Sequence, residues 1–286
     1  MKKEDINIRD PFVLFENGRY YLYGTRARSF GQNVGGFDVY ISDDMENWSA
    51  PMTCFDSEKY GLNRQVNWAP EVHKFKNRYY LFATFTRENG LRGTFSLVAD
   101  RPEGPFVPNS PTALTPPEWE CLDGTFYVDP NDTPYLVFCH EHTQIIDGTV
   151  CYARLNADLT AIEGPVTTLF KASDPFFADE YDPEKHFITD GPFLYRTKTG
   201  ELLLLWSTFI EGKYAQCLVR FADGTLGTSF THLPPLLCED GGHGMIFRDE
   251  KQLWLTYHIP NQTGAERPVF FRLEDCGDTL RVLDKR

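Results

Sequence analysis

Asp10, Asp123 and Asp190 each stand at the head of a short apolar and aromatic segment. Taken singly, an aspartate before a strand is most often a turn former whose side chain bonds the next backbone amides. Three of them at one position of a repeated unit are a different matter. Carboxylates brought together repel, their pKa values separate, and one site can hold a proton donor beside an ionised base. The pattern predicts a reaction run by two carboxylates. It also requires a framework that gathers residues lying far apart in the chain.

That framework is legible as a repeat. RDPFVLFENGRYYLYGT from Arg9 returns as WAPEVHKFKNRYYLFAT from Trp68 and as LDGTFYVDPNDTPYLVF from Leu122. Further copies are TDGPFLYRTKTGELLLLWS from Thr189 and GHGMIFRDEKQLWLTYH from Gly242. Each copy opens on a polar or small residue, runs through an apolar strand and a polar turn, and returns in a strand rich in Tyr, Leu, Phe and Trp. Weaker strands follow each hairpin, such as FDVYISD from Phe37 and TFSLVAD from Thr94. The copies recur roughly every 50 to 65 residues, the length of a four-stranded propeller blade with its loops. A β-sandwich or jelly roll would also need many strands, but neither calls for five copies of one hairpin. The prediction is an all-β, five-bladed β-propeller forming a single domain over residues 1–286.

In a propeller the first strand of every blade lines the central channel, so residues at one register form a ring. The register that opens each copy is read as Asp10, Ala69, Asp123, Asp190 and His243. The returning strands end at the same mouth and bring Thr25, Arg26, Thr84, His140, Glu141, Ser207, Tyr257 and His258.

Composition narrows the partners. Asp and Glu outnumber Lys and Arg by 41 to 28, a formal charge of −13. A nucleic-acid partner would reward the opposite balance, so a neutral substrate is expected. Cys54, Cys121, Cys139, Cys151, Cys217, Cys238 and Cys276 form no C-x-x-C pair, which gives a zinc site no support. They are expected to be free, buried thiols in a reducing compartment. No apolar run is long enough to span a membrane. The first residues carry no signal-like segment, so a cytoplasmic location is expected.

These motifs, in their order, resemble glycoside hydrolase family 43, whose members are inverting enzymes on five-bladed propellers. The resemblance covers all five blades. RDP resembles the segment carrying the catalytic base, which implies that role for Asp10. WAPEV resembles the second-blade signature. LDGTFYVD resembles the segment whose carboxylate orients the acid and tunes its pKa, which implies Asp123. TDGPFLYR occupies the place of the general acid, usually Glu, and offers Asp190. GGHGMIF resembles the fifth-blade segment whose His reaches a central calcium through water, which implies His243. ERP resembles the place of an Arg that grips the innermost sugar, which implies Arg267. The family's substrates imply release of α-L-arabinofuranosyl or β-D-xylosyl residues from plant-type oligosaccharides.

Several readings stay open on the residues alone. An Asp acid is one methylene shorter than Glu, and an inverting site separates its carboxyls by about 6.5 to 9.5 Å. Glu141 is therefore a second candidate for the acid and a rim residue that could bind substrate. Glu180 and Glu184 are weaker candidates. Trp68 either walls the sugar or packs between blades. Arg267 either binds a hydroxyl or pairs with Glu266. His140, Glu141 and His142, read as strand residues, alternate in direction and do not chelate as a set. A carbohydrate-binding propeller without catalysis and a glycoside phosphorylase are the rival functions. The phosphorylase would need cations such as Arg26, Arg28, Arg64 and Arg267 to hold phosphate.

Overall fold

The computed structural model describes residues 1–27, 35–62 and 66–285. Arg28 and Arg64 lie outside them. Five four-stranded antiparallel sheets follow one another along the chain. The first holds β1 (Ile8–Glu16), β2 (Arg19–Arg26), β3 (Phe37–Ser42) and β4 (Met52–Phe55). The second holds β5 (Asn67–Phe75), β6 (Arg78–Thr86), β7 (Arg92–Ala99) and β8 (Val107–Pro108). The third holds β9 (Cys121–Val128), β10 (Pro134–His140), β11 (Thr149–Leu155) and β12 (Ile162–Lys171). The fourth holds β13 (Asp190–Arg196), β14 (Leu202–Ile210), β15 (Lys213–Phe221) and β16 (Phe230–His232). The fifth holds β17 (Gly242–Arg248), β18 (Leu253–Ile259), β19 (Arg267–Asp275) and β20 (Leu280–Lys285). The first strands touch in the cyclic order β1, β5, β9, β13, β17 and back to β1, which makes a closed five-bladed propeller.

Both faces of each blade are covered by neighbours, so inner strands read as continuous apolar runs rather than as alternations. Leu202, Leu203, Leu204, Leu205 and Trp206 are all fully buried. The even-numbered leucines of this run face blade three and the odd-numbered ones face blade five. Phe82, Phe126 and Phe138 fill the space between blades two and three. Trp48, Phe247 and Phe270 meet between blades one and five. Of the seven thiols, five are buried as expected, while Cys238 and Cys276 are exposed; all are free.

The first hairpin of each blade carries a bulge near its start. Pairing slips after Arg9, Trp68, Leu122, Asp190 and Gly242, whose partners on the second strand are Thr25, Thr84, Cys139, Ser207 and His258. The next residue in every case has positive φ: Asp10 at 50°, Ala69 at 48°, Asp123 at 56°, Gly191 at 51° and His243 at 51°. Left-handed backbone is unfavourable for a side-chain-bearing residue and persists only where surrounding contacts over-determine it. Here a hydrogen bond to the preceding blade does so. The Ala69 N–H donates to Thr25 Oγ1 at 2.7 Å, Asp123 N–H to Thr84 Oγ1 at 2.9 Å, and His243 N–H to Ser207 Oγ at 2.8 Å. Asp10 N–H donates to His258 Nδ1 at 3.2 Å.

The bulges correct the sequence reading of the ring. Blade four places Gly191, not Asp190, at the register of Asp10, Ala69, Asp123 and His243. Asp190 stands one residue earlier, at the register of Arg9, Trp68, Leu122 and Gly242. Space explains the glycine. A Cβ on Gly191 would lie 2.8 Å from Cδ2 and 2.9 Å from Cγ of His243, whose ring fills the slot.

Two substitutions test this arrangement. Thr84→Val keeps the shape but leaves the buried Asp123 N–H without its acceptor, and should lower stability by about 1–3 kcal/mol in a urea titration. Gly191→Ala combines a left-handed backbone with the His243 contact. It should lower stability by about 1–3 kcal/mol, with the His243 ring displaced in a crystal structure; an alanine variant as stable as wild type would contradict the contact.

Candidate active site

Positive φ turns Asp10, Asp123 and His243 toward one another at the channel mouth. His243 Nδ1 lies 3.3 Å from Asp10 Oδ1 and 3.5 Å from Asp123 Oδ2. Burial alone would push the imidazole down, but Asp10, Asp123 and Asp190 together hold its pKa above the ordinary value. The imidazole is thus the positive counterweight of the carboxylates.

Asp10 is buried and still favours ionisation. Burial would raise its pKa, but His243, Arg9 and the Thr25 hydroxyl outweigh it and bring it below the usual value. Thr25 Oγ1 donates to Asp10 Oδ2 at 2.6 Å. His258 has no exposure, and burial drives its pKa down to about 3. It is therefore neutral, as it must be to accept the Asp10 N–H on Nδ1.

Asp123 and Asp190 behave in the opposite way. Burial raises Asp123, with Asp190 and Asp10 adding to the effect against the pull of His243. Burial raises Asp190 too, opposed by His243 and by the Tyr214 hydroxyl, which donates to Oδ2 at 2.9 Å. The two carboxyls resist double ionisation and titrate as a pair. Asp123 Oδ2 already accepts the Gly191 N–H at 3.1 Å. Among the described residues Oδ1 of Asp190 takes no such bond, which leaves that oxygen to present a proton.

Asp10, Asp123, Asp190, Trp68, Glu141 and His243 all line one cavity of about 190 Å³. That gathers six of the seven residues singled out in the sequence. Arg267 is the exception. Its guanidinium donates to the Glu4 carbonyl at 2.8 Å and the Glu266 carbonyl at 2.7 Å, tying blade five to the N-terminal segment outside the cavity. The arginine that does line the cavity beside Asp10 is Arg9. It pairs with the fully buried Glu266 at 2.9 Å and donates to Asn261 Oδ1 at 3.0 Å. Sequence reasoning passed over Arg9, although its place next to Asp10 in the RDP motif was a signal. Tyr214 and Arg92 also line the cavity, and no repeat position announced them.

Glu141 is on the rim, but not as a strand residue. β10 ends at His140, and Glu141 caps the one-turn helix α1 (His142–Ile145), accepting the His142 N–H on Oε1 at 2.9 Å. Oε2 lies 3.2 Å from Arg92 Nη2, and Arg92 also pairs with Glu120. Burial pushes Glu141 up to about 8 against the pull of Arg92. Both of its oxygens are engaged by donors, so it is built to hold Arg92. The Arg92 guanidinium in turn stacks on Trp68, 5.3 Å from the ring centroid. Glu180 and Glu184 are exposed and reach Lys185 and His186.

A calcium ion is bound through several oxygen ligands. Among the described residues no three His, Cys, Asp or Glu side chains are grouped to hold a metal ion directly. A directly coordinated ion has no such set, whereas the expected calcium reached from His243 through water does not require one; no step below is routed through a metal ion.

Comparison with known proteins identifies the family and the fold. A sequence model of glycosyl hydrolases family 43 matches residues 5–272. The solved endo-arabinase of Bacteroides thetaiotaomicron VPI-5482 is 37% identical, with a TM-score of 0.88 over 96% of each chain. An endo-1,4-beta-xylanase of the same organism shares the fold at 21% identity and a TM-score of 0.81, covering 99% of this chain and 96% of its own. Xylosidase/arabinosidase 43A of Humicola insolens is 25% identical over 141 residues, which span 44% of this chain and 39% of that relative's length. With its match running across nearly the whole propeller, the chain belongs to glycoside hydrolase family 43.

Proposed function

We propose that this protein hydrolyses glycosidic bonds with inversion, with Asp10 as base, Asp190 as acid and Asp123 as the carboxylate that tunes the acid. One observation carries the reading: the same cavity depresses the pKa of Asp10 and raises that of Asp190. Environments that push two carboxyls apart in this way assign base and acid. Asp10 takes a proton from the water that attacks the anomeric carbon. Asp190 gives its proton to the departing oxygen, and the bond from that oxygen to the sugar breaks as the bond to water forms. The oxocarbenium-like transition state is stabilised by the surrounding carboxylates. The one-residue displacement of Asp190 takes it out of the Asp10 ring. Trp68 walls the sugar and Arg9 meets its hydroxyls, in place of Arg267.

Water rather than phosphate fits as the acceptor. Asp10 is ionised beside the attacking position and would repel an anion. Arg26 is paired with Asp38, and Arg267 is turned to the chain beside it. The substrate class is an arabinofuranosyl-containing saccharide first and a β-D-xyloside second, supported by the 37% identity to an endo-arabinase.

The tests are kinetic. Asp10→Asn should lose about 10²- to 10⁴-fold in kcat on arabino-oligosaccharides and on nitrophenyl arabinofuranoside. Asp190→Asn should lose more on the oligosaccharide than on the nitrophenyl substrate, whose leaving group needs less protonation. NMR of the first product formed should show inverted configuration, and added phosphate should leave the rate unchanged. Sugar binding with no hydrolysis by the wild type would sink the proposal. The pH profile of kcat/KM should be a bell. Activity falls on the acid side as Asp10 gains a proton, below the usual carboxylate range, and on the alkaline side as Asp190 loses one, above that range.

A further inference from the structure

Four bulge N–H groups find a neutral acceptor on the preceding blade, in Thr25, Thr84, Ser207 and His258. Blade three departs from the pattern. Its residue at that ladder position, paired with Leu122, is Cys139, which is fully buried. A thiol is a weak hydrogen-bond acceptor. The Gly191 N–H, which would have been its charge, goes instead to Asp123 Oδ2.

We propose that Cys139 is a positioning residue: by withholding a hydroxyl at this ladder position, it leaves the Gly191 N–H to the Asp123 carboxyl and fixes the orientation of that carboxyl beside Asp190. The proposal rests on the roles given to Asp123 and Asp190 above. The groups facing Asp123 are His243 from β17, Asp10 from β1, Asp190 from β13 and Glu141 beyond β10. Burial and the neighbouring carboxylates disfavour its charge, whereas His243 and the Gly191 amide favour it, and its pKa stays raised at about 7. The amide therefore acts through geometry: it holds Asp123 Oδ2 at 3.1 Å and with it the direction the carboxyl presents to Asp190. Without the bond that carboxyl is free to turn away from the acid.

Cys139→Ser tests this directly, because the new hydroxyl can take the Gly191 N–H as Ser207 takes that of His243. Cys139→Ala is the control, since it removes the thiol without adding an acceptor. In the serine variant the Gly191 amide proton resonance should move upfield, and kcat should fall on the order of tenfold with KM nearly unchanged. The alanine variant should keep both the resonance and kcat, and thermal unfolding should show both variants folded. A serine variant whose resonance stays in place overturns the proposal. So does an equal loss of kcat in both variants, which would assign the effect to packing. A resonance that moves while kcat does not would instead overturn the role assigned to Asp123, so the two failures are distinguishable.

Discussion

The structure depends on one repeated interaction, the hydrogen bond from a bulged first strand to the second strand of the blade before it. An amide N–H sealed from water must find an acceptor or destabilise the fold by about 1–3 kcal/mol. Each of these amides can reach its acceptor only if its own residue adopts left-handed backbone. Four of the five residues are not glycine and accept that strain. The same turn aims their side chains along the axis, so the element that joins blade to blade also converges Asp10, Asp123 and His243. Closure is borne by these five positions, and three of them, Asp10, Asp123 and His243, also line the cavity.

The charges follow from that convergence. Two buried carboxylates on the ring and a half-buried one beside it would not stay together without compensation. His243 compensates Asp10 and Asp123 at once, from a position that only a glycine opposite allows. Thr25 and Arg9 then favour the charged form of Asp10 alone. Asp190 receives a single hydroxyl, from Tyr214. Unequal support separates the two working carboxyls.

The fold was legible because each hairpin repeats its apolar grammar and its turn, both local properties of the chain. The ring was legible for the same reason, apart from one slip. Matching aspartate to aspartate placed Asp190 on the ring, whereas matching Pro192 to Pro11 and Pro70 would have placed Gly191 there. Glu141 was misread because strand alternation was carried past His140, where a helical turn begins. Arg267 was assigned through a motif whose neighbour, Glu266, holds the arginine of blade one instead. Such pairings join residues some 250 positions apart, and nothing in a local pattern encodes them. The same holds for Tyr214 and Arg92, which reach the cavity from third strands, where the repeat is weakest.

The seam between blades one and five has a consequence of its own. No sheet is shared across it; beside the packing of Trp48, Phe247 and Phe270, the contacts that join it include Arg9 to Glu266, Asn7 to the Glu266 carbonyl, Arg267 to the Glu4 carbonyl and Asp10 to His258. Two of those four contacts belong to residues of the cavity. A chain still emerging from the ribosome has Asp10, Asp123 and Asp190 in hand long before Glu266 and His258 exist. The enzyme is therefore silent until its last blade arrives, and competence for chemistry is a direct readout of a completed circle.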